Sequence, residues 1–167
     1  MDNPTSQQSA VAVRARRSIR LPDYDYAQEG MYYITICAAD RSELFGILDD
    51  DRIVLNEFGR VVENEWRRTP KLRPNVSLQD LVVMPDHLHA ILTITDRRGV
   101  LHTPSLRRLT SPSQTVGSIV RGFKAASTKQ INSLRKSPEA KAWQRNYYEH
   151  IVRDARDLAA IRQYIHE

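Results

Sequence analysis

A single cysteine, Cys37, stands in the 167-residue chain, so no intrachain disulfide can staple the fold, and a reducing compartment suits it. Flanked by Tyr32, Ile34 and Ile36, Cys37 reads as a small buried hydrophobe rather than a reactive thiol. No apolar run approaches the roughly 18 residues of a membrane span, and Met1–Arg20 contains no signal-peptide core. Internal repeats and nucleotide-binding loop motifs are also missing. One thiolate is too few for structural zinc, which wants four protein ligands. These absences predict a cytoplasmic protein with no membrane attachment.

Acidic residues are absent from Arg97 to Pro138, a stretch holding nine lysines and arginines. Removing those nine from the 25 basic residues leaves 16 against 20 acidic, so an otherwise acidic chain concentrates its positive charge. A focused basic patch is the footprint of a polyanion partner, whereas a merely solvated face mixes signs. Arg14, Arg16, Arg17 and Arg20 form a second cluster, which either tracks a phosphate backbone or serves solubility alone.

The length fits one domain, with residues 1–13 a disordered polar tail and 14–167 the folded unit. Alternation and turn residues predict strands at Met31–Ala38, Val76–Val83 and His87–Ile94, and a hairpin over Leu44–Leu55 turning at Asp49–Asp51. Helices are expected over Asn56–Arg68, stopped by Pro70, and over Thr115–Arg135. The long helix has a stripe of Val116, Ile119, Val120, Phe123, Ser127, Ile131 and Leu134. Arg121 and Lys124 flank that stripe and could meet DNA. A loop spans Asp96–Ser113, and a short extended segment near Trp143 precedes a final helix. The class is α+β, an antiparallel sheet with helices packed on it.

Two histidines, His87 and His89, are separated by one apolar residue in the strand after a Pro85–Asp86 turn. Strand side chains alternate, so both imidazoles point to one face. With an oxygen ligand they can hold a divalent cation and keep positions open for substrate. A solvent-facing or core-edge pair gives the same spacing, so the pattern alone leaves both readings open. The final helix starts at Asp154, with Asp157 three residues on as in a capping box. Leu158, Ile161 and Ile165 share its inner face. Tyr164 lies about a quarter turn away at roughly 100° per residue, placed to pack its ring and extend its hydroxyl.

Taken together, these segments resemble the HUH single-tyrosine transposases, and within them the REP-associated tyrosine transposases. The likeness runs from about residue 14 to 167 through Arg16–Pro22, Gly30–Cys37, Leu44–Gly46, Leu55–Gly59, Val83–His89, Phe123–Lys124, Trp143–Gln144 and Tyr164–Ile165. It implies a ferredoxin-like HUH-endonuclease fold, with His87 and His89 as metal ligands, Tyr164 as nucleophile, and Mg²⁺ or Mn²⁺ as cofactor. The implied reaction is cleavage and rejoining of single-stranded, hairpin-forming repetitive palindromic DNA through a 5′-phosphotyrosine, the chemistry of DNA transposition and recombination. Arg14, Arg16, Arg17, Arg121, Lys124 and Arg153 become candidate DNA contacts, and His150 falls near the expected site. The family's third ligand lies four residues after the tyrosine; Glu167, three residues on, is the nearest substitute by spacing. A monomer is expected rather than a homodimer, working beside the nucleoid.

Three readings compete with this one. A non-cleaving single-stranded nucleic-acid binder could use the same fold. Arg121–Lys124 superficially matches the start of an RNA-recognition strand motif, but its surroundings have helical periodicity. A zinc hydrolase would want a glutamate base near its ligands, and none follows His89.

Overall fold

The computed structural model describes residues 29–95 and 115–166. Its frame is a four-stranded sheet of β1 (Gly30–Cys37), β4 (Val76–Val83), β5 (His87–Ile94) and β6 (Tyr148–Val152). The strand order is β4-β5-β1-β6, with antiparallel neighbours throughout. Helix α1 (Glu57–Arg67) crosses from β1 to β4, and α3 (Val116–Leu134) joins β5 to β6, giving the ferredoxin-like β-α-β-β-α-β arrangement. A hairpin, β2 (Gly46–Asp49) and β3 (Arg52–Leu55), is inserted before α1. Its turn residues Asp50 and Asp51 both have positive φ, 42° and 59°, as a two-residue type I′ turn requires.

Alternation along β1 divides the molecule. Tyr32, Ile34 and Ile36 are fully buried on one face, under Val62 and Trp66 of α1 and Val116, Ile119, Phe123 and Ile131 of α3. Trp66 meets Phe123 edge-on at 4.9 Å between ring centroids. Burying each such ring contributes about 2–3 kcal/mol from apolar area. On the opposite face Tyr33 and Ile91 pack with Ile165 of α4 (Ala155–His166), and Leu158 and Ile161 join them. The stripe expected on the last helix is therefore what docks it.

Local chemistry sets the helix starts. Asn56 caps α1, accepting from the amides of Phe58 and Gly59 at 2.9 and 3.0 Å. Asp154 accepts from the Asp157 amide at 2.9 Å, and Asp157 reaches back to the Arg153 amide at 3.1 Å, close to a capping box.

Three expectations need correction. The helix expected over Asn56–Arg68 ends at Arg67 with Arg68 as its C-cap, but Pro70 is not the break; it sits in the first turn of a short α2 (Thr69–Leu72), where its missing N–H is no loss. The last strand lies at Tyr148–Val152 rather than near Trp143, which makes only an isolated bridge to Ala38. Leu134 ends the α3 stripe exposed to solvent. The tail of residues 1–13, the boundary at residue 14 and the loop Asp96–Ser113 lie outside the described residues. Among those described, no helix is long and apolar enough to cross a membrane.

Candidate active site

His87 and His89 leave β5 on the same face, as their spacing requires, and their Nε2 atoms converge to 2.9 Å. Each ring is held from behind. His87 Nδ1 donates to the carboxylate of Asp86, the residue beside it in the turn. Backbone bonds fix that turn: Ala38 N donates to Asp86 O at 2.8 Å, and Phe45 N to Pro85 O at 2.9 Å. His89 Nδ1 meets the hydroxyls of Tyr33 at 2.8 Å and Thr35 at 3.0 Å. Both come from β1, where Thr35 is the register partner of His89.

His89 is 6% exposed. Burial, reinforced by the adjoining His87 ring and opposed by Asp86, lowers its pKa to about 4, so it is neutral at physiological pH. The tautomer with its proton on Nδ1 leaves Nε2 as a lone-pair donor facing that of His87. Two nitrogens about 2.1 Å from one ion, at right angles, stand about 3 Å apart, so the observed convergence fits a shared divalent cation. The Asp86–His87 contact is the outer-shell arrangement that orients metal-bound imidazoles. Among the described residues no group of three His, Cys, Asp or Glu side chains gathers for a metal, so two imidazoles are what the described part of the chain offers.

Tyr164 rises from α4 over this pair. Its ring meets that of His89 edge-on at 5.5 Å while the residue stays 65% exposed. With Tyr33, Thr35, Cys37, Arg41, Asn146 and Tyr148, these three residues line one cavity of about 650 Å³. The Tyr33 hydroxyl is raised in pKa, mainly by burial and also by nearby Tyr164 and Tyr148, with Thr35 pulling the other way. An outer ion pair braces the helix: Arg162 donates to Asp80 Oδ2 at 2.9 Å and to Gln79 Oε1 at 3.0 Å. Gln79 and Asp80 occupy the register irregularity of β4, where a bulge turns side chains out of the regular alternation. Burial disfavours the Asp80 carboxylate, but Arg162 and His166 outweigh it and lower its pKa.

The other expected residues divide. Lys124 is engaged by the backbone of the protein itself. Its ammonium donates to the carbonyls of Gln144, Arg145 and Asn146 at 2.8, 3.3 and 3.0 Å, fastening the loop that forms one wall of the cavity. Burial lowers it to about 8, against an upward pull from Cys37, and it remains charged at neutral pH. Lys124→Met should cost about 2 kcal/mol, the scale of charge-assisted bonds, read as a lower urea midpoint. The salt slope of DNA binding should not change; a flatter slope would return Lys124 to the DNA.

His150 turns to Asp157 at 2.9 Å, bracing the β6–α4 corner, and is not among the residues lining the cavity. Arg121 and Arg153 are exposed on α3 and after β6. Arg14, Arg16, Arg17 and Glu167 lie outside the described residues. Sequence reasoning missed Arg41, Thr35 and Tyr148. Only Thr35 left a trace, as a polar residue interrupting an apolar strand.

This fold is shared with transposases of known structure. One is a REP-associated tyrosine transposase solved bound to a REP hairpin, with a TM-score of 0.58 at 20% identity, covering 88% of this chain and 70% of that one. Another, from Deinococcus radiodurans R1 and provisionally named a transposase, gives a TM-score of 0.50 at 18% identity, covering 88% and 95%. In sequence the chain is 42% identical over 160 residues to an uncharacterized protein of Haemophilus influenzae, covering 92% of this chain and 87% of that protein. It is 27% identical over 150 residues to a second protein of the same organism, provisionally named a REP-associated tyrosine transposase, covering 85% and 71%. No family model matches the chain. The chain thus shares its fold with transposases of known structure and is similar in sequence to a protein provisionally named a REP-associated tyrosine transposase.

Proposed function

We propose that the chain is a metal-dependent single-strand DNA endonuclease and strand transferase, acting on hairpin-forming palindromic DNA. The observation that carries this reading is the meeting of Tyr164 with the converged His87–His89 pair in one cavity. The REP hairpin held by a structural neighbour supports the substrate class.

A phosphodiester resists attack because its charge repels nucleophiles and its alkoxide leaves poorly. His87 and His89 would hold the cation, with phosphate and water oxygens completing the shell; Mn²⁺ suits this mixed donor set well, and Mg²⁺ less so. When bound there, a divalent ion withdraws charge from a non-bridging phosphate oxygen. Tyr164 Oη would form the new bond to phosphorus as the bond to the 3′-oxygen breaks. The phenol proton ends on that oxygen, leaving a 3′-hydroxyl and a 5′-phosphotyrosine. The linkage keeps the bond energy, so the reverse attack rejoins a strand without ATP.

Ile165, Leu158 and Ile161 dock α4 on the sheet that carries the histidine pair, which supports a monomer completing the site by itself. A surface groove of about 740 Å³ along α3 shares Gln144 with the cavity and is lined by Lys129, Lys141 and Arg145. It offers a cationic path for a single-stranded arm. Arg121 and Arg153, exposed, and Arg14, Arg16 and Arg17 would add phosphate contacts. Glu167 would supply a further oxygen ligand.

The test is direct. Labelled hairpin DNA with a single-stranded arm, incubated with the protein and Mn²⁺, should yield an adduct that survives denaturing electrophoresis, and EDTA should prevent it. Tight binding with no adduct under any divalent ion would leave the non-cleaving binder as the function.

A further inference from the structure

Among the described residues, Arg41 is the one lysine or arginine lining the cavity of His87, His89 and Tyr164. No motif marks it; it is a single arginine closing the short 3-10 turn Ala39–Arg41 after β1. The backbone delivers it there at a conformational cost. Asp40 and Arg41 are consecutive non-glycine residues with φ of 56° and 55°, a region that a β-carbon disfavours. The two residues that lead into the turn are pinned, Ala38 N donating to Asp86 O at 2.8 Å and Ala39 N to Ala142 O at 3.0 Å. Left-handed strain of this kind, held by its surroundings, clusters at binding sites.

The side chain gains little from its neighbours. Its guanidinium stands 3.7 Å from Asp86 Oδ2, beyond hydrogen-bond length, and is 63% exposed. Exposed ion pairs of that geometry contribute almost nothing. Among the described residues that pair is its one polar side-chain contact, so its five N–H donors are left largely unused by the protein. The rest of the lining, among the described residues, is phenols, hydroxyls, a thiol, amides and imidazoles. A phosphodiester entering this cavity carries one negative charge and gains another as a nucleophile adds.

We propose that Arg41 binds phosphate: its guanidinium leaves Asp86 and takes the non-bridging oxygens of the DNA phosphate seated between the histidine pair and Tyr164. The planar fork suits two phosphate oxygens at once, which a lysine cannot match. This rests on the reading of the chain as a single-strand nuclease.

The test uses the Tyr164→Phe protein in EDTA, so that binding is measured without cleavage or metal. Affinity for a fluorescein-labelled DNA hairpin with a single-stranded arm is followed against salt. Arg41→Ala should make the slope of log K against log[salt] shallower by about 0.7, the loss of one single-strand phosphate contact. Arg41→Gly, which suits the left-handed backbone, should show the same shift with an unchanged or higher thermal midpoint, separating phosphate binding from folding. Arg41→Lys should keep the slope, yet in the Tyr164 protein it should slow adduct formation, because it retains charge without the fork. An unchanged slope in both Ala and Gly variants overturns the proposal. So does an unchanged slope accompanied by weaker Mn²⁺ binding, which would make Arg41 a positioning residue acting through Asp86 and His87. If the protein forms no adduct even with Arg41 intact, the nuclease reading itself has failed; if it does and the Arg41 slopes are flat, only this assignment has.

Discussion

Tyr164→Phe should eliminate the covalent DNA adduct, a loss on the order of 10⁴-fold or more, as expected when a nucleophile is deleted. Hairpin affinity should stay within about twofold, and stability within about 0.5 kcal/mol, the range for exposed positions. The structure makes this a clean substitution. Tyr164 is 65% exposed, and only its hydroxyl is removed, while the ring face that meets His89 edge-on is retained. Inactivity could not then be blamed on a displaced helix, since Leu158, Ile161 and Ile165 still dock α4. Denaturing gels with labelled DNA read the adduct, and fluorescence anisotropy reads the affinity. Should an adduct persist, the nucleophile is another phenol in the cavity. Tyr33 is the poorer suspect, because its hydroxyl is tied to His89 and its pKa is raised. Tyr148, exposed at the same cavity, is the better one.

Gly59→Ala should destabilise the fold by about 2 kcal/mol or more, although alanine is the better helix former by about 1 kcal/mol. The contest is between propensity and space. A β-carbon at Gly59 would fall far inside van der Waals contact of the Phe45 carbonyl oxygen and within 3.0 Å of the Leu55 side chain. The carbonyl cannot retreat cheaply, because it accepts from the Asn56 amide at 3.1 Å and its residue donates to Pro85. Phe45 also packs against Trp143, the two rings tilted with their centroids 4.6 Å apart. Overpacking therefore wins, and the strain passes through Phe45 to the turn that carries Asp86 and His87. A urea midpoint lower by about 1 M is expected, with weaker Mn²⁺ binding. A midpoint that rises would mean that α1 sits farther from Phe45 than the structure places it.

The sequence by itself determined the parts that depend on local periodicity. Strand alternation put His87 and His89 on one face, and helical spacing put Leu158, Ile161 and Ile165 inward with Tyr164 beside them. Asp154 announced its helix start because capping is decided within three or four residues. Pro70 misled because proline is tolerated in a first helical turn as readily as it ends a helix. The strand at Tyr148–Val152 was displaced in the reading because its short, half-polar segment carries weak alternation, and pairing with β1 overrides it.

Only the tertiary structure decided which polar groups meet. That Thr35 and Tyr33 hold His89, that Lys124 closes on three carbonyls, and that Arg41 enters the cavity all depend on segments far apart in the chain. Sequence separation carries no information about such encounters. The sheet order β4-β5-β1-β6, which sets β1 beside β5 and lays α4 across them, creates them. The physical reason is that a side chain's type and face follow from its immediate neighbours, whereas its hydrogen-bond partner and its burial, and hence its charge state, follow from packing.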